Sequence, residues 1–118
     1  ESKHEALKME CIHHIGICYS ELGDQQKALE LYKIVEKFYL NNNNERELAN
    51  VYYDYSFSFK ELGEFDKAII YAKKNYDVYT KLKNIYGQQN ATQQLAATYK
   101  LKGDYKNALF YLEKHFLL

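Results

Sequence analysis

The sequence predicts an all-α chain in which three antiparallel helical hairpins, six helices in all, stack side by side, and three observations lead there. Gly23, Gly63 and Gly103 stand at a constant interval of forty residues, and each is followed five positions later by an alanine: Ala28, Ala68 and Ala108. An aromatic residue precedes each of these glycines by four positions (Tyr19, Phe59, Tyr99), and an acidic residue follows it directly (Asp24, Glu64, Asp104). Between these markers the apolar residues recur at three- and four-residue spacing, the period of a helix with one packed face. Self-similarity at such a period marks small units that bury a shared core only by stacking, so function is expected on a surface rather than in an enclosed pocket.

The first helix is expected over residues 4–22, where Ile12, Ile15 and Tyr19 form an apolar stripe. Gly23 suits the left-handed residue that closes a helix, and Asp24 suits the start of the next. The second helix, over 24–40, packs through Ala28, Leu29, Tyr32 and Val35. The small Ala28 lets the two helices approach where they cross, so Ala28→Leu would cost roughly 1–3 kcal/mol in forced methylenes. Four asparagines at 41–44 make the clearest loop. The third helix, over 45–62, repeats the stripe as Tyr52, Tyr55 and Phe59, and the fourth runs over 64–83. Lys83 and Asn84 link it to a fifth helix over 85–102, with Asn84 as N-cap and Gly87 in the first turn, where a glycine does least harm. The sixth helix is expected over 104–117, and there is no proline anywhere. The units are thus about 4–40, 45–83 and 84–118, within a single domain over 1–118.

These residues resemble tetratricopeptide repeats, whose pattern sets a small residue and an aromatic on the first helix, a glycine in the turn and an alanine on the second. The resemblance covers nearly the whole chain. Unit one carries Ile15-Gly16, Tyr19, Gly23 and Ala28, while Ser56 and Ala96 stand at the first small position of the other two units. The family's aromatic after the turn is Gln25 in unit one but Phe65 and Tyr105 later, its closing proline is missing, and the period is forty. The usual period is about thirty-four, and longer helices account for the surplus. The long period is similar to that of repeat regions in bacterial signalling regulators and peptide-pheromone receptors. The resemblance implies a right-handed superhelix whose concave groove is lined mainly by the first helix of each unit. Its lining positions here are Glu10, His13, Ile17 and Ser20, then Asn50, Tyr53, Phe57 and Lys60, then Asn90, Gln93, Ala97 and Lys100. Asparagine and glutamine can donate to and accept from a peptide backbone, Tyr53 and Phe57 offer apolar contact, and the lysines suit an acidic group.

Composition bounds the alternatives. The chain starts at Glu1 without methionine and ends on Phe116-Leu117-Leu118 with no polar capping helix, so it is expected to be a fragment of a larger protein, its apolar C-terminal end covered by a further helix or used for self-association. No apolar run approaches the roughly eighteen residues of a membrane span, and no signal peptide is visible. Residues 1–80 hold ten basic and fourteen acidic groups, against six and two over 81–118. That asymmetry fits solvated helix faces, head-to-tail contact between chains, or an acidic partner at the C-terminal end.

Candidate chemistry is sparse. Cys11, His14 and Cys18 lie within about sixty degrees on one helical face, a spacing open to a metal, but no second cluster completes four ligands, and no metal or other cofactor is expected. The cysteines read instead as small buried hydrophobes of a reducing, cytoplasmic compartment, with His14 packed partly against them. Seven residues of helix hold their Cα atoms about 10 Å apart, beyond disulfide reach. His13, His14, Asp54 and Ser56 lack any oxyanion device or phosphate loop, so no enzymatic activity is expected. The lysines and tyrosines from Lys73 to Tyr86 superficially suit single-stranded nucleic acid. Tyr76 and Tyr79, however, fall on the packing side while Lys73, Lys74, Lys81 and Lys83 point outward, so nucleic acid is not the expected partner. Nor does the family's clamp for chaperone tails fit: its places read His13, Ile17, Asp54, Asn90 and Gln94, and Asp54 would repel a carboxylate. The expected function is a non-catalytic module that binds a peptide or protein segment in its groove, as the sensing or scaffolding part of a bacterial regulator. The alternative is a spacer or homo-oligomerisation domain using the C-terminal hairpin.

Overall fold

A computed structural model describes residues 2–118. They form six helices, α1 (Lys3–Glu21), α2 (Gln25–Asn41), α3 (Glu45–Glu61), α4 (Phe65–Lys81), α5 (Ile85–Lys102) and α6 (Tyr105–Phe116), with no strand among the described residues. Every boundary falls within two residues of the one expected from sequence. Each helix packs on the next in chain order, so the fold is an all-α stack of three antiparallel hairpins. The backbones of the first helices also approach one another, α1 with α3 and α3 with α5, whereas those of α2, α4 and α6 stay apart, and α6 reaches α4 through Lys114, which lies over the Tyr76 ring at 5.0 Å. First helices therefore line the inner side of the curve and second helices the outer. The stack measures 45 × 32 × 18 Å, about two helix diameters thick.

The turns repeat twice as often as the sequence pattern suggested. Left-handed residues stand at Gly23, Asn43, Gly63, Lys83 and Gly103, one every twenty residues. At each, the residue that follows donates its backbone N–H to an aromatic residue's carbonyl five positions back: Asp24 to Tyr19 at 2.9 Å, Asn44 to Tyr39 at 3.0 Å, and Glu64 to Phe59, Asn84 to Tyr79 and Asp104 to Tyr99 at 2.9 Å. This is the Schellman closure, and the donor is at once the N-cap of the next helix. Asp24, Asn44, Asn84 and Asp104 each accept from the backbone N–H three residues on, at 3.0–3.2 Å. Glu64, one methylene longer, makes no such bond and pairs with Lys67 at 3.2 Å. The links between hairpins are thus built like the turns within them.

Packing at the crossings rests on small residues, as expected. Ala28 and Ala68 are fully buried. Gly16 is tighter still: a Cβ there would meet Cε1 of Tyr32 at 2.7 Å. In the second hairpin Ser56 takes that place and donates its hydroxyl to the Ala68 carbonyl at 2.7 Å. The core between the first two hairpins is aromatic. Tyr32 meets Tyr55 edge-on at 5.7 Å, and Tyr55 stacks on Tyr71 at 4.6 Å with Phe59 alongside.

Four expectations are corrected. Cys11 and Cys18 are exposed rather than buried, and Ile15, placed in the apolar stripe, is 50% exposed. Their counterparts forty residues on, Val51, Tyr55 and Ser58, are buried because α2 lies against α3, whereas no described helix lies on that side of α1. His14 is likewise exposed and stacks on His13, with ring centroids 6.2 Å apart, instead of packing on the cysteines. Gly87 is not incidental, since a Cβ there would fall on the ring of Tyr79.

Candidate binding groove

A cavity of about 570 Å³ opens on the inner side of the stack. Helix α1 contributes Glu10, His13, His14 and Ile17, α3 contributes Glu47, Asn50, Tyr53 and Asp54, and Asn90 reaches it from α5. Tyr39 of α2 and Asn75 and Tyr79 of α4 complete its floor.

The walls are fixed by hydrogen bonds between helices. His13 is buried, sits edge-on to Tyr32 at 5.7 Å, and donates from Nε2 to the Asp54 carboxylate at 2.6 Å, tying α1 to α3. Tyr79 donates its hydroxyl to Oδ1 of Asn50 at 2.6 Å, which leaves the Asn50 Nδ2 as a donor. Asn75, 1% exposed, donates from Nδ2 to the Ala49 carbonyl at 2.7 Å, while its Oδ1 is buried without a partner. Burial, then the charge of Asp54, holds the Tyr53 phenol above the ordinary tyrosine range. Burial, followed by Glu47, does the same to Tyr79. Both phenols are therefore neutral donors near neutral pH.

The residues singled out from sequence divide in the structure. Glu10, His13, Ile17, Asn50, Tyr53 and Asn90 converge on the cavity. Ser20 is buried in the first turn instead, donating to Gln25 Oε1 at 2.8 Å. Lys60 lies over Phe57 at 5.0 Å and donates to Gln94 at 3.2 Å, and neither Lys60 nor Phe57 lines the cavity. Gln93 and Lys100 are exposed on α5 beyond it, and Ala97 is half-buried there. Sequence reasoning missed Glu47, Asn75 and Tyr79 as lining residues. A signal existed for Asn75: it occupies the place of Val35 one unit earlier, a polar residue at a core position.

Other chemistry finds little footing. No group of three or more His, Cys, Asp or Glu side chains is arranged to hold a metal ion among the described residues. Lys73 and Lys74 are exposed, and each lies over a ring outside the stretch from Lys73 to Tyr86, Tyr99 at 5.9 Å and Tyr71 at 5.0 Å. No described helix is long and apolar enough to cross a membrane.

Two family models of the tetratricopeptide repeat match the chain, one over residues 10–39 and the other over residues 90–114. The chain carries tetratricopeptide repeats. No curated protein sequence matches it. The first match spans most of α1 and α2, and the second spans α5 from Asn90 and most of α6, so the matched tetratricopeptide repeats are the two outer hairpins. Repeats of this family serve as protein–protein interaction or scaffolding modules.

Proposed function

We propose that this tetratricopeptide repeat protein binds an extended peptide or protein segment in the cavity along α1 and α3, without catalysis, as the sensing or scaffolding part of a cytoplasmic bacterial regulator. The observation that carries the reading is the Asn50–Tyr79 hydrogen bond at 2.6 Å, which orients the Asn50 amide so that its Nδ2 can donate to a peptide carbonyl. Asn90, exposed at the same cavity, offers a second amide, and Tyr53 and Ile17 offer apolar surface between them. A segment longer than the cavity would continue over α3 and α5 past Phe57, Lys60, Gln93 and Lys100. Asn50→Ala and Asn90→Ala are each expected to weaken binding about tenfold, the worth of one well-placed hydrogen bond of about 1.4 kcal/mol. Unchanged affinity in both variants would remove the groove reading.

A second reading, self-association through the last hairpin, is favoured by one feature of α6. Leu109 and Leu112 are 56% and 43% exposed, whereas their counterparts one unit earlier, Ile69 and Ala72, are 6% and 1% exposed beneath α5. With Tyr105 and Phe116 they form one apolar stripe, and a second copy of the chain is its proposed occupant. Light scattering tests it. An oligomer that Leu109→Ser with Phe116→Ser converts to monomer supports this reading, and a monomeric parent chain contradicts it.

A further inference from the structure

We infer that the segment bound in the groove delivers a basic side chain, arginine or lysine, into the cavity between α1 and α3, opposite the carboxylates of Glu10, Glu47 and Asp54. The inference rests on the groove reading and adds the chemical class of the group recognised.

Charge is the first argument. The cavity lining holds three carboxylates and no lysine or arginine. Histidine is its only cationic residue type, and His13 is committed to Asp54 at 2.6 Å. Even with His13 protonated, Glu10 and Glu47 have no ion-pair partner among the described residues. The lysines that suggested an acidic ligand stand elsewhere: Lys60 does not line the cavity and is held by Gln94 and Phe57. After burial, Glu47 raises the Tyr79 phenol pKa, Arg46 outside the lining lowers it, and Asp54 raises it again, so both cavity carboxylates act on the phenol as negative charges.

Asn75 supplies the second, independent argument. Its side chain lines the cavity, is 1% exposed, and carries an Oδ1 with no hydrogen-bond partner. The amide cannot turn over to relieve this, because Nδ2 must face the Ala49 carbonyl at 2.7 Å. A fixed, buried acceptor awaits a donor, and a guanidinium or ammonium group brings only donors. Basic side chains thus satisfy the carboxylates and the orphaned oxygen together, whereas an acidic side chain satisfies neither.

An array of short synthetic peptides, with each position scanned through all side-chain types, tests the inference on the whole chain. Bound peptides are expected to require arginine or lysine at one position. Replacing it by citrulline or norleucine should weaken binding about tenfold, the worth of one charge-assisted hydrogen bond. Glu10→Gln with Glu47→Gln should weaken the basic peptide to a similar degree and its citrulline version distinctly less. Glu47→Lys, which places a cation at the cavity, should exclude the basic peptide more strongly. Circular dichroism establishes that each variant is folded. Peptides that depend on Asn50 and Tyr53 yet show no basic preference would overturn this inference and leave the groove reading standing. Peptides insensitive to Asn50 and Tyr53, or no bound peptide at all, would overturn both.

Discussion

The ring of Tyr79 lies against the backbone of Gly87, so closely that a single added carbon on the glycine would fall on it, while the Tyr79 hydroxyl reaches Asn50 at 2.6 Å. One side chain thereby joins the seam between the second and third hairpins to the wall of the groove. Gly87→Ala is expected to destabilise the fold by about 1–3 kcal/mol through overpacking, net of the improved helix propensity of alanine. Urea unfolding measures it. A midpoint at or above that of the parent chain would show that the ring moves aside without cost.

Among the described residues, Lys83 is the one left-handed residue that is neither glycine nor asparagine, at φ 55°. A side chain there meets the steric penalty of the left-handed region, so Lys83→Gly is expected to stabilise the chain by about 1 kcal/mol. Gly63→Ala provides the converse. Nothing lies within 4 Å of a Cβ at Gly63, so its loss of about 1 kcal/mol would be purely conformational. Chemical denaturation reads both, and equal midpoints for all three chains would contradict the account of the turns.

Alkaline pH should unfold the protein through its core tyrosines. Burial, followed by the charge of Asp54, raises the Tyr32 pKa, and burial with Glu36, which accepts from the Tyr55 hydroxyl at 2.9 Å, raises that of Tyr55. For an acid whose folded pKa lies above its unfolded value of about 10, the stabilisation is fully present below that value and is lost as pH rises beyond it. Stability is therefore expected to fall steadily above about pH 10. Tyrosinate absorbance and circular dichroism, followed together, check this. Ionisation of all tyrosines with the helical signal intact would contradict it.

Much of the fold was legible because the strongest markers, Gly23, Gly63 and Gly103, act locally: each admits a left-handed turn without steric cost. The intervening turns at Asn43 and Lys83 share that geometry without glycine, so the twenty-residue period went unread. Helical periodicity identified an apolar stripe on α1 but not which flank a neighbour covers, and for that reason Ile15, Cys11 and Cys18 were assigned to the wrong side. The groove was half-legible for a related reason. Residues on the first helices follow from the repeat, whereas Asn75 and Tyr79 reach the cavity from α4 only because the stack curves that far. Asp54 was read as a bare negative charge, and only the fold brings His13 against it at 2.6 Å.

Where a bound segment sits decides between the groove and the α6 stripe. Backbone amide shifts of the isotopically labelled chain, recorded by NMR as a captured peptide is added, test this most directly. The largest changes are predicted around Ile17, Asn50, Tyr53 and Tyr79, with α6 undisturbed. Changes concentrated on the α6 stripe around Leu109 and Leu112, with the groove silent, would contradict it.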